Sequence, residues 1–301
     1  MRDNILKKID WPIIVCVIAL TIIGCIELFS VTGGNDYGEL KKQLIWFSIS
    51  IPVTVAIIFV DYNIIAKYSP ILYGIMILTL IGVLFTTPIN GATSWYNIGS
   101  VSIQPSEFAK ICVILCFSLT IVKVQRLGKE QISRPLNLLK CLAVVALPIM
   151  LIVKQPDFGT AVAFCVAIAI ILISSGLSKK YIIGAILIVL VTVPLLYFFV
   201  LPAHAKTRID VFLNPNIDPR GSGYNVLQSR LAIGSGKIFG MGIKNGSQTQ
   251  LGYLYPQTTD FIYSAIGEEM GFVVAIGVIV LYLVLIIRAL IIAKTAKDDI
   301  G

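Results

Sequence analysis

Charged residues are scarce in this sequence. Only 13% of its 301 residues are Asp, Glu, Lys or Arg, whereas 57% are hydrophobic, and a soluble globular domain carries roughly 25% charged residues. A water-soluble globular enzyme is therefore excluded. Histidine is even rarer, because His204 is the only one, and it has no acidic or cysteine partner nearby in sequence, so we assign it no role.

Cysteine is present but is placed where it does no redox or metal chemistry. The six cysteines all lie inside apolar stretches, and His or further Cys residues at zinc-ligand spacing are missing. A disulfide framework or a zinc site is therefore not expected. The cysteines are Cys16, Cys25, Cys112, Cys116, Cys141 and Cys165.

Long apolar stretches occupy most of the chain. A helix of about 17 to 25 apolar residues is long enough to cross a hydrocarbon core roughly 30 Å thick. We predict an all-α polytopic membrane protein with about eight transmembrane helices, in one membrane domain covering residues 1–301. The predicted spans are 11–31, 44–60, 69–86, 106–122, 138–153, 158–176, 181–200 and 261–287, with a long extracytoplasmic loop at about 201–259.

The net charge of +8 is compatible with nucleic-acid binding, but its distribution favours a membrane explanation. Lys and Arg collect in alternate short loops, as the positive-inside rule requires of cytoplasmic segments. We therefore predict that both termini are cytoplasmic and that nucleic acid is not a partner. The cytoplasmic basic residues would be Arg2, Lys7, Lys8, Lys67, Lys123, Arg126, Lys129, Arg134, Lys140, Lys179, Lys180, Arg288, Lys294 and Lys297.

The long loop contains two features of its own. Tyr224, Leu227 and Leu231 recur at helical spacing, which predicts a short amphipathic helix on the outer surface. Five glycines follow within residues 234–246. They serve either as turns or as points where the backbone approaches a ligand closely.

Ionisable residues within or beside apolar spans are functional candidates, because burying charge in lipid is costly. Under the predicted topology they cluster at the outer ends of several helices, which predicts a concave polar site there. The candidates are Glu27, Glu107, Lys110, Asp157, Asp260, Glu268 and Glu269.

Each candidate also has an alternative explanation without function. Glu107 and Lys110 are three residues apart and can neutralise each other on one helix. Asp157 and Asp260 each precede an apolar run, where a carboxylate stabilises a helix start. Trp95 is either an interfacial anchor or a platform for a sugar ring.

A series of ordered motifs resembles the RodA and FtsW proteins of the shape, elongation, division and sporulation family. The motifs are Gly91-Ala92-Thr93-Ser94-Trp95-Tyr96, Gln104-Pro105-Ser106-Glu107-Phe108-Ala109-Lys110, Lys154-Gln155-Pro156-Asp157-Phe158-Gly159-Thr160, Gly223-Tyr224-Asn225-Val226-Leu227-Gln228-Ser229, Ala232-Ile233-Gly234-Ser235-Gly236, Gln248-Thr249-Gln250-Leu251-Gly252 and Thr259-Asp260-Phe261-Ile262-Tyr263-Ser264-Ala265-Ile266-Gly267-Glu268-Glu269-Met270-Gly271.

The resemblance implies a glycosyltransferase that polymerises lipid II into peptidoglycan at the outer face of the bacterial cytoplasmic membrane, with a class B penicillin-binding transpeptidase as partner. It implies that Asp260 is the catalytic residue and that Trp95 is functionally important. No organic cofactor is expected, and a divalent cation (Mg²⁺ or Mn²⁺) can be held by Asp157 or Asp260. The residues predicted to contact substrate are Trp95, Glu107, Lys110, Asp157, Arg208, Arg220, Gln228, Arg230, Gln248 and Glu268.

The sequence also departs from the family pattern. Family members usually carry two further membrane helices after the point reached at Gly301, and they have a His and a Glu where Thr258 and Pro256 stand here. Two other functions stay open, namely a lipid II flippase and a non-catalytic scaffold for a penicillin-binding protein.

Overall fold

The computed structural model describes residues 9–32, 37–88, 92–99, 101–126, 128–201, 203–221 and 223–301. These residues are mainly helical, and the only strands within them form one small hairpin. The helices are α1 (Trp11–Val31), α2 (Gly38–Phe59), α3 (Tyr62–Val83), α4 (Pro105–Gln125), α5 (Pro135–Lys154), α6 (Phe158–Ser174), α7 (Lys179–Leu195), α8 (Ala203–Leu213), α9 (Tyr224–Ser235), α10 (Ser247–Gln250), α11 (Ile262–Glu269) and α12 (Gly271–Lys294).

The prediction of an all-α polytopic membrane protein is confirmed. Six helices of the described residues are long and apolar enough to cross a membrane, namely α1, α2, α3, α5, α7 with the turn that follows it, and α12. The other two predicted spans correspond to α4, which carries three charged residues, and to the 17-residue apolar helix α6. Large hydrophobic side chains cover the outer faces of these helices, as expected where lipid is the solvent.

The structure corrects one predicted span and adds two elements. Residues 261–287 are not one helix, because α11 ends at Glu269 and α12 begins at Gly271. A β-hairpin, β1 (Tyr96–Ile98) paired with β2 (Val101–Ile103), lies within the first polar loop. The long loop contains α8 in addition to the predicted amphipathic helix, which is confirmed as α9.

The chain packs as two compact units. One comprises residues 57–194 and 297–301 and contains α3 to α6, the hairpin and most of α7. Its core is a continuous apolar cluster contributed by α3, α4, α5 and α6, with Phe117 and Phe164 as its largest buried side chains. Proline at the first turns of α4 and α5 suits helix starts, because its missing N–H has no intrahelical acceptor there.

The other unit comprises residues 1–56 and 195–296. An ion pair joins the start of α1 to the last turns of α12, since Arg288 Nε donates to Asp10 Oδ2 at 3.1 Å. This hydrogen bond lowers the pKa of the Asp10 carboxyl group. The beginning of α1 and the end of α12 therefore lie at the same end of this unit, as the predicted N-in, C-in topology requires.

Candidate active site

Asp260 lies in a turn just before α11. The helix begins at Ile262, and its N-cap is Phe261, with no side-chain capping bond. Asp260 therefore does not cap the helix, which was the alternative explanation for this carboxylate. Its side chain is exposed and has no hydrogen-bond or ion-pair partner among the described residues.

The segment that carries Asp260 is fastened to the C-terminal end of α1. Gln257 Nε2 donates to Val31 O at 3.3 Å, and Gln250 Nε2 donates to Ser30 O at 3.2 Å. The 21 residues of α1 span about 32 Å at 1.5 Å per residue. Asp260 is thus about one membrane thickness away from the end that carries the Asp10 ion pair.

Glu268 is fully buried and receives donors from the loop that precedes Asp260. Its Oε1 accepts from Gln248 N at 2.8 Å and from Ser247 Oγ at 3.3 Å, and its Oε2 accepts from Thr249 N at 3.0 Å. These donors include two backbone N–H groups at the start of α10, which have no acceptor within that helix. Glu268 therefore holds α10 in place as its capping carboxylate.

Glu269 is equally buried and ties three segments together. Its Oε1 accepts from Gln250 Nε2 at 2.8 Å and from Thr249 Oγ1 at 3.0 Å, and its Oε2 accepts from Lys244 N at 3.1 Å and from the Ser30 hydroxyl. Ser30 Oγ in turn accepts from Lys244 N at 2.7 Å. The carboxylate thus links α1, the glycine-rich segment and α10. The expectation that Glu268 contacts the substrate stays a prediction. In the structure, protein groups already donate hydrogen bonds to both of its carboxylate oxygens.

Glycines make the break between α11 and α12 possible. The N–H groups of Met241 and Gly242 donate to the carbonyls of Glu268 and Glu269 at 2.9 and 3.0 Å, while Phe272 N donates to Lys237 O at 3.0 Å. A Cβ at Gly240, whose φ is +83°, would collide with the Glu269 carbonyl. Gly240 and Gly242 have positive φ, as the predicted use in turns requires. Gly240 also lets backbone approach backbone, which the sequence did not predict.

The remaining predicted side chains near this segment have less defined surroundings. Arg220 and Arg230 are exposed, and Gln228 and Gln248 are half-buried. The amide oxygens of Gln228 and Gln248 are buried without a protein partner among the described residues. The side chain of Arg208 lies outside the described part of the structure, as does that of His204.

In the other compact unit, Trp95 is half-buried, and its neighbours are the buried Ser94 and the half-buried Tyr96. Tyr96 opens β1, and its hydroxyl donates to Thr79 O of α3 at 3.0 Å. The hairpin that follows Trp95 is therefore anchored on the helical core. Both explanations of Trp95, membrane anchor and sugar platform, remain compatible with its partial exposure.

Glu107, Lys110 and Asp157 each make the local contact that their sequence positions predict. Lys110 Nζ lies 2.9 Å from Glu107 Oε1 on the first turns of α4. Asp157 is the N-cap of α6, where its Oδ1 accepts from Thr160 N at 3.2 Å, and its Oδ2 accepts from Gln104 Nε2 at 2.7 Å. Asp157 therefore joins the beginnings of α4 and α6.

A divalent cation at Asp157 or Asp260 stays a prediction. No three His, Cys, Asp or Glu side chains come together as a metal-ligand group anywhere in the described ranges, and both oxygens of Asp157 already accept hydrogen bonds. The residues present do not make up a ligand set.

Sequence reasoning missed Ser30, Thr249 and Gln250 as members of the Glu268 and Glu269 network. Thr249 and Gln250 lie inside the Gln248–Gly252 motif, which was a usable signal. Ser30 is a lone hydroxyl in an apolar helix, and its contact with Glu269 spans 239 residues of sequence. Nothing local in the sequence indicates it.

Comparison with known proteins agrees with this architecture. The peptidoglycan glycosyltransferase MrdB of Escherichia coli K12 is 32% identical over 311 residues, covering 100% of this chain and 82% of its own length. The probable peptidoglycan glycosyltransferase FtsW of Trichlorobacter lovleyi is 32% identical over 308 residues, covering 98% of this chain and 79% of its own.

Solved structures show the same fold. The structure described as coordinating polymerization and crosslinking in a peptidoglycan synthase complex aligns with a TM-score of 0.79 at 22% identity, over 97% of this chain and 80% of its own. Thermus thermophilus RodA aligns with a TM-score of 0.67 at 21% identity, over 97% and 78%. The sequence model of one family of cell cycle proteins matches residues 10–301, so the chain belongs to the FtsW/RodA/SpoVE family.

Proposed function

We propose that this chain is a peptidoglycan glycosyltransferase that polymerises lipid II into β-1,4-linked glycan strands. The observation that carries the proposal is the Asp260 carboxylate, which is exposed and without a partner in the described residues, on a segment that buried carboxylates hold in place. The family membership and the names of the similar proteins support the same activity.

The reaction requires one base. The 4-hydroxyl of the acceptor disaccharide attacks the anomeric carbon of an α-linked donor, a β-1,4 bond forms with inversion, and undecaprenyl diphosphate leaves. Asp260 takes the hydroxyl proton as the new bond forms. General-base assistance of this kind contributes about 10² to 10⁴ in rate. A carboxylate already engaged by protein donors, such as Glu268 or Glu269, could not accept that proton without losing those bonds.

The leaving diphosphate requires nearby positive charge. Arg220 and Arg230 are exposed on the long loop and are suited to this because a guanidinium binds phosphate oxygens in a bidentate manner. Arg208 is proposed for the same role from its place in the sequence. These arginines would bind donor and product, and Asp260 would carry the proton transfer.

The proposed location is the bacterial cytoplasmic membrane, with Asp260 at the outer face. The outer placement follows from the predicted cytoplasmic position of the Asp10 ion pair at the opposite end of α1. The proposed partner is a class B penicillin-binding transpeptidase. A structural neighbour described as a complex for polymerization and crosslinking supports that pairing.

Purified protein incubated with fluorescent lipid II tests the proposal. The wild type should form glycan ladders, and Asp260→Asn should lower the rate by about 10² to 10⁴ without altering thermal stability, since the carboxylate has no partner to lose. The control is Asp299→Asn, the same change at an exposed acid. It should leave the ladders unchanged.

The other outcomes separate the competing functions. Headgroup translocation across vesicles without ladders would identify a flippase, and binding of a transpeptidase without either activity would identify a scaffold. Normal ladders from Asp260→Asn would keep the polymerase but remove Asp260 as its base.

A further inference from the structure

A cavity with two lysines in its lining lies at the end of the α3 to α6 unit that the charge pattern predicts to be cytoplasmic. It has a volume of about 300 Å³ and opens between α4, the 3₁₀ turn Lys129–Ser133 and α5. Five of its six lining residues have polar or charged side chains, whose hydrocarbon parts also contribute to the wall. The lining residues are Thr120, Lys123, Val124, Gln131, Asn137 and Lys140. The proposed polymerase chemistry uses none of these residues.

The two lysines of this cavity are unpaired. Neither Lys123 nor Lys140 has an ion-pair partner in the part of the chain that the structure describes. Residues 123–140 contain five basic side chains and one acidic residue, Glu130. Because both lysines line the same cavity and like charges repel each other, an anion bound there would be attracted by both ammonium groups.

The uncharged lining complements an anion as well. Asn137 Nδ2 donates to Gln131 O at 3.1 Å, which fixes the 3₁₀ turn against α5. The Gln131 side-chain amide has no partner among the described residues and can donate into the cavity. Thr120 already donates to Cys116 O at 2.8 Å, so its oxygen can accept from a ligand hydroxyl.

Exposed apolar side chains adjoin the polar lining. Leu136 and Leu139 are 65% and 64% exposed, and Leu136 lies one helical turn before Lys140 on the same face of α5. A ligand that places an anionic group between the lysines can therefore lay hydrocarbon along these leucines. Free phosphate has no such part, whereas an anionic phospholipid has both.

We propose that this cavity binds the phosphate of an anionic phospholipid from the cytoplasmic leaflet, with Lys123 and Lys140 as its cationic ligands. Basic pockets between membrane helices on that side are known to suit acidic headgroups. The site is separate from the proposed polymerase chemistry, so failure of either proposal leaves the other standing.

Native mass spectrometry of the intact detergent-solubilised protein tests the proposal. The protein is incubated with phosphatidylglycerol or phosphatidylcholine, and retained lipid is measured at increasing collision energy. The wild type should retain phosphatidylglycerol preferentially. The double variant Lys123→Gln/Lys140→Gln should lower that preference by about 25-fold, because each lysine near a headgroup contributes roughly a fivefold change in binding.

The matched control is Lys179→Gln/Lys180→Gln. These lysines are exposed at the start of α7 and belong to the same predicted cytoplasmic side, but they do not line the cavity. The control removes the same charge and should keep the wild-type preference. An equal loss in both double variants would reveal diffuse surface attraction and overturn the proposal.

Two further arms complete the test. Equal retention of phosphatidylglycerol and phosphatidylcholine by the wild type would overturn the proposal directly. Displacement of phosphatidylglycerol by millimolar inorganic phosphate would show that phosphate competes for the cavity without any hydrocarbon part, and would overturn the assignment to a phospholipid. Persistence of the lipid in that competition is the expected result.

Discussion

Replacing Glu268 should destabilise the segment that carries Asp260 more than any surface change of the same charge. Glu268→Ala removes the acceptor of the Gln248 and Thr249 backbone N–H groups. A buried donor left without a partner costs about 1–3 kcal/mol, so the two together cost about 2–6 kcal/mol. Glu268→Gln retains one acceptor oxygen and should cost about 1–3 kcal/mol, equivalent to one lost bond.

The control for this series is Glu39→Gln. Glu39 is half-exposed on α2 and pairs with Lys42 at 2.8 Å, and an exposed pair of this kind contributes under about 1 kcal/mol. The midpoint of thermal unfolding should therefore be highest for Glu39→Gln, lower for Glu268→Gln and lowest for Glu268→Ala.

Unfolding can be followed with a thiol-reactive dye, because Cys16, Cys116 and Cys141 are buried and free in the folded chain. Each becomes reactive only when its packing opens. If Glu268→Ala unfolds at the same midpoint as Glu39→Gln, the Glu268 carboxylate is not what holds α10, and it does not fix the segment that carries Asp260.

Three further changes have expected outcomes. Gly240→Ala should lower the thermal midpoint because its φ is +83° and its Cβ would strike a backbone carbonyl, whereas Gly234→Ala, with open space around it, should not. Asp157→Ala should cost about 0.5–2 kcal/mol by loss of a helix cap, and Asp157→Asn, which keeps an acceptor oxygen, should cost less in the same thiol assay. The pKa of Asp10 is lowered from its ordinary value of 3.8 by the hydrogen bond from Arg288. Its stabilisation is therefore complete above that value and is lost as the pH falls through the lowered pKa, so midpoints measured across acidic pH should drop less for Asp10→Asn than for the wild type.

The helical membrane architecture could be predicted because apolar length is a local property of the sequence. The interruption after Glu269 could not, since residues 261–287 are apolar enough for one helix. The break depends on hydrogen bonds from Met241 and Gly242, which lie far back in the chain. The local sequence around Glu269 does not indicate these hydrogen bonds.

The candidate site was predictable in its residue types but not in their roles. Asp260, Glu268 and Glu269 are all acids near the start of one apolar run, and their positions alone do not distinguish them; the motif resemblance implies a catalytic role for Asp260 but no anchoring role for the two glutamates. Burial and donors distinguish them, because Glu268 and Glu269 are at most 1% exposed and are engaged on both oxygens, whereas Asp260 is exposed. The anchoring role of Glu268 and Glu269 is visible only in the folded chain, where protein donors engage their oxygens.

The broken helix explains how a loop can hold Asp260 in a fixed position. Interrupting a helix frees carbonyls before the break and N–H groups after it, and leaving such groups unpaired near a membrane costs several kcal/mol each. Here the carbonyls of Glu268 and Glu269 accept from the glycine-rich segment, and the N–H groups of Phe272 and Val273 donate back to it. The side chains of the same two glutamates bind the loop that leads to Asp260. The backbone of Glu268 and Glu269 thus fixes the glycine-rich segment, and their side chains fix the loop that leads to Asp260. The position of Asp260 is therefore set by the packing of α1 and α12 and not by the length of the loop.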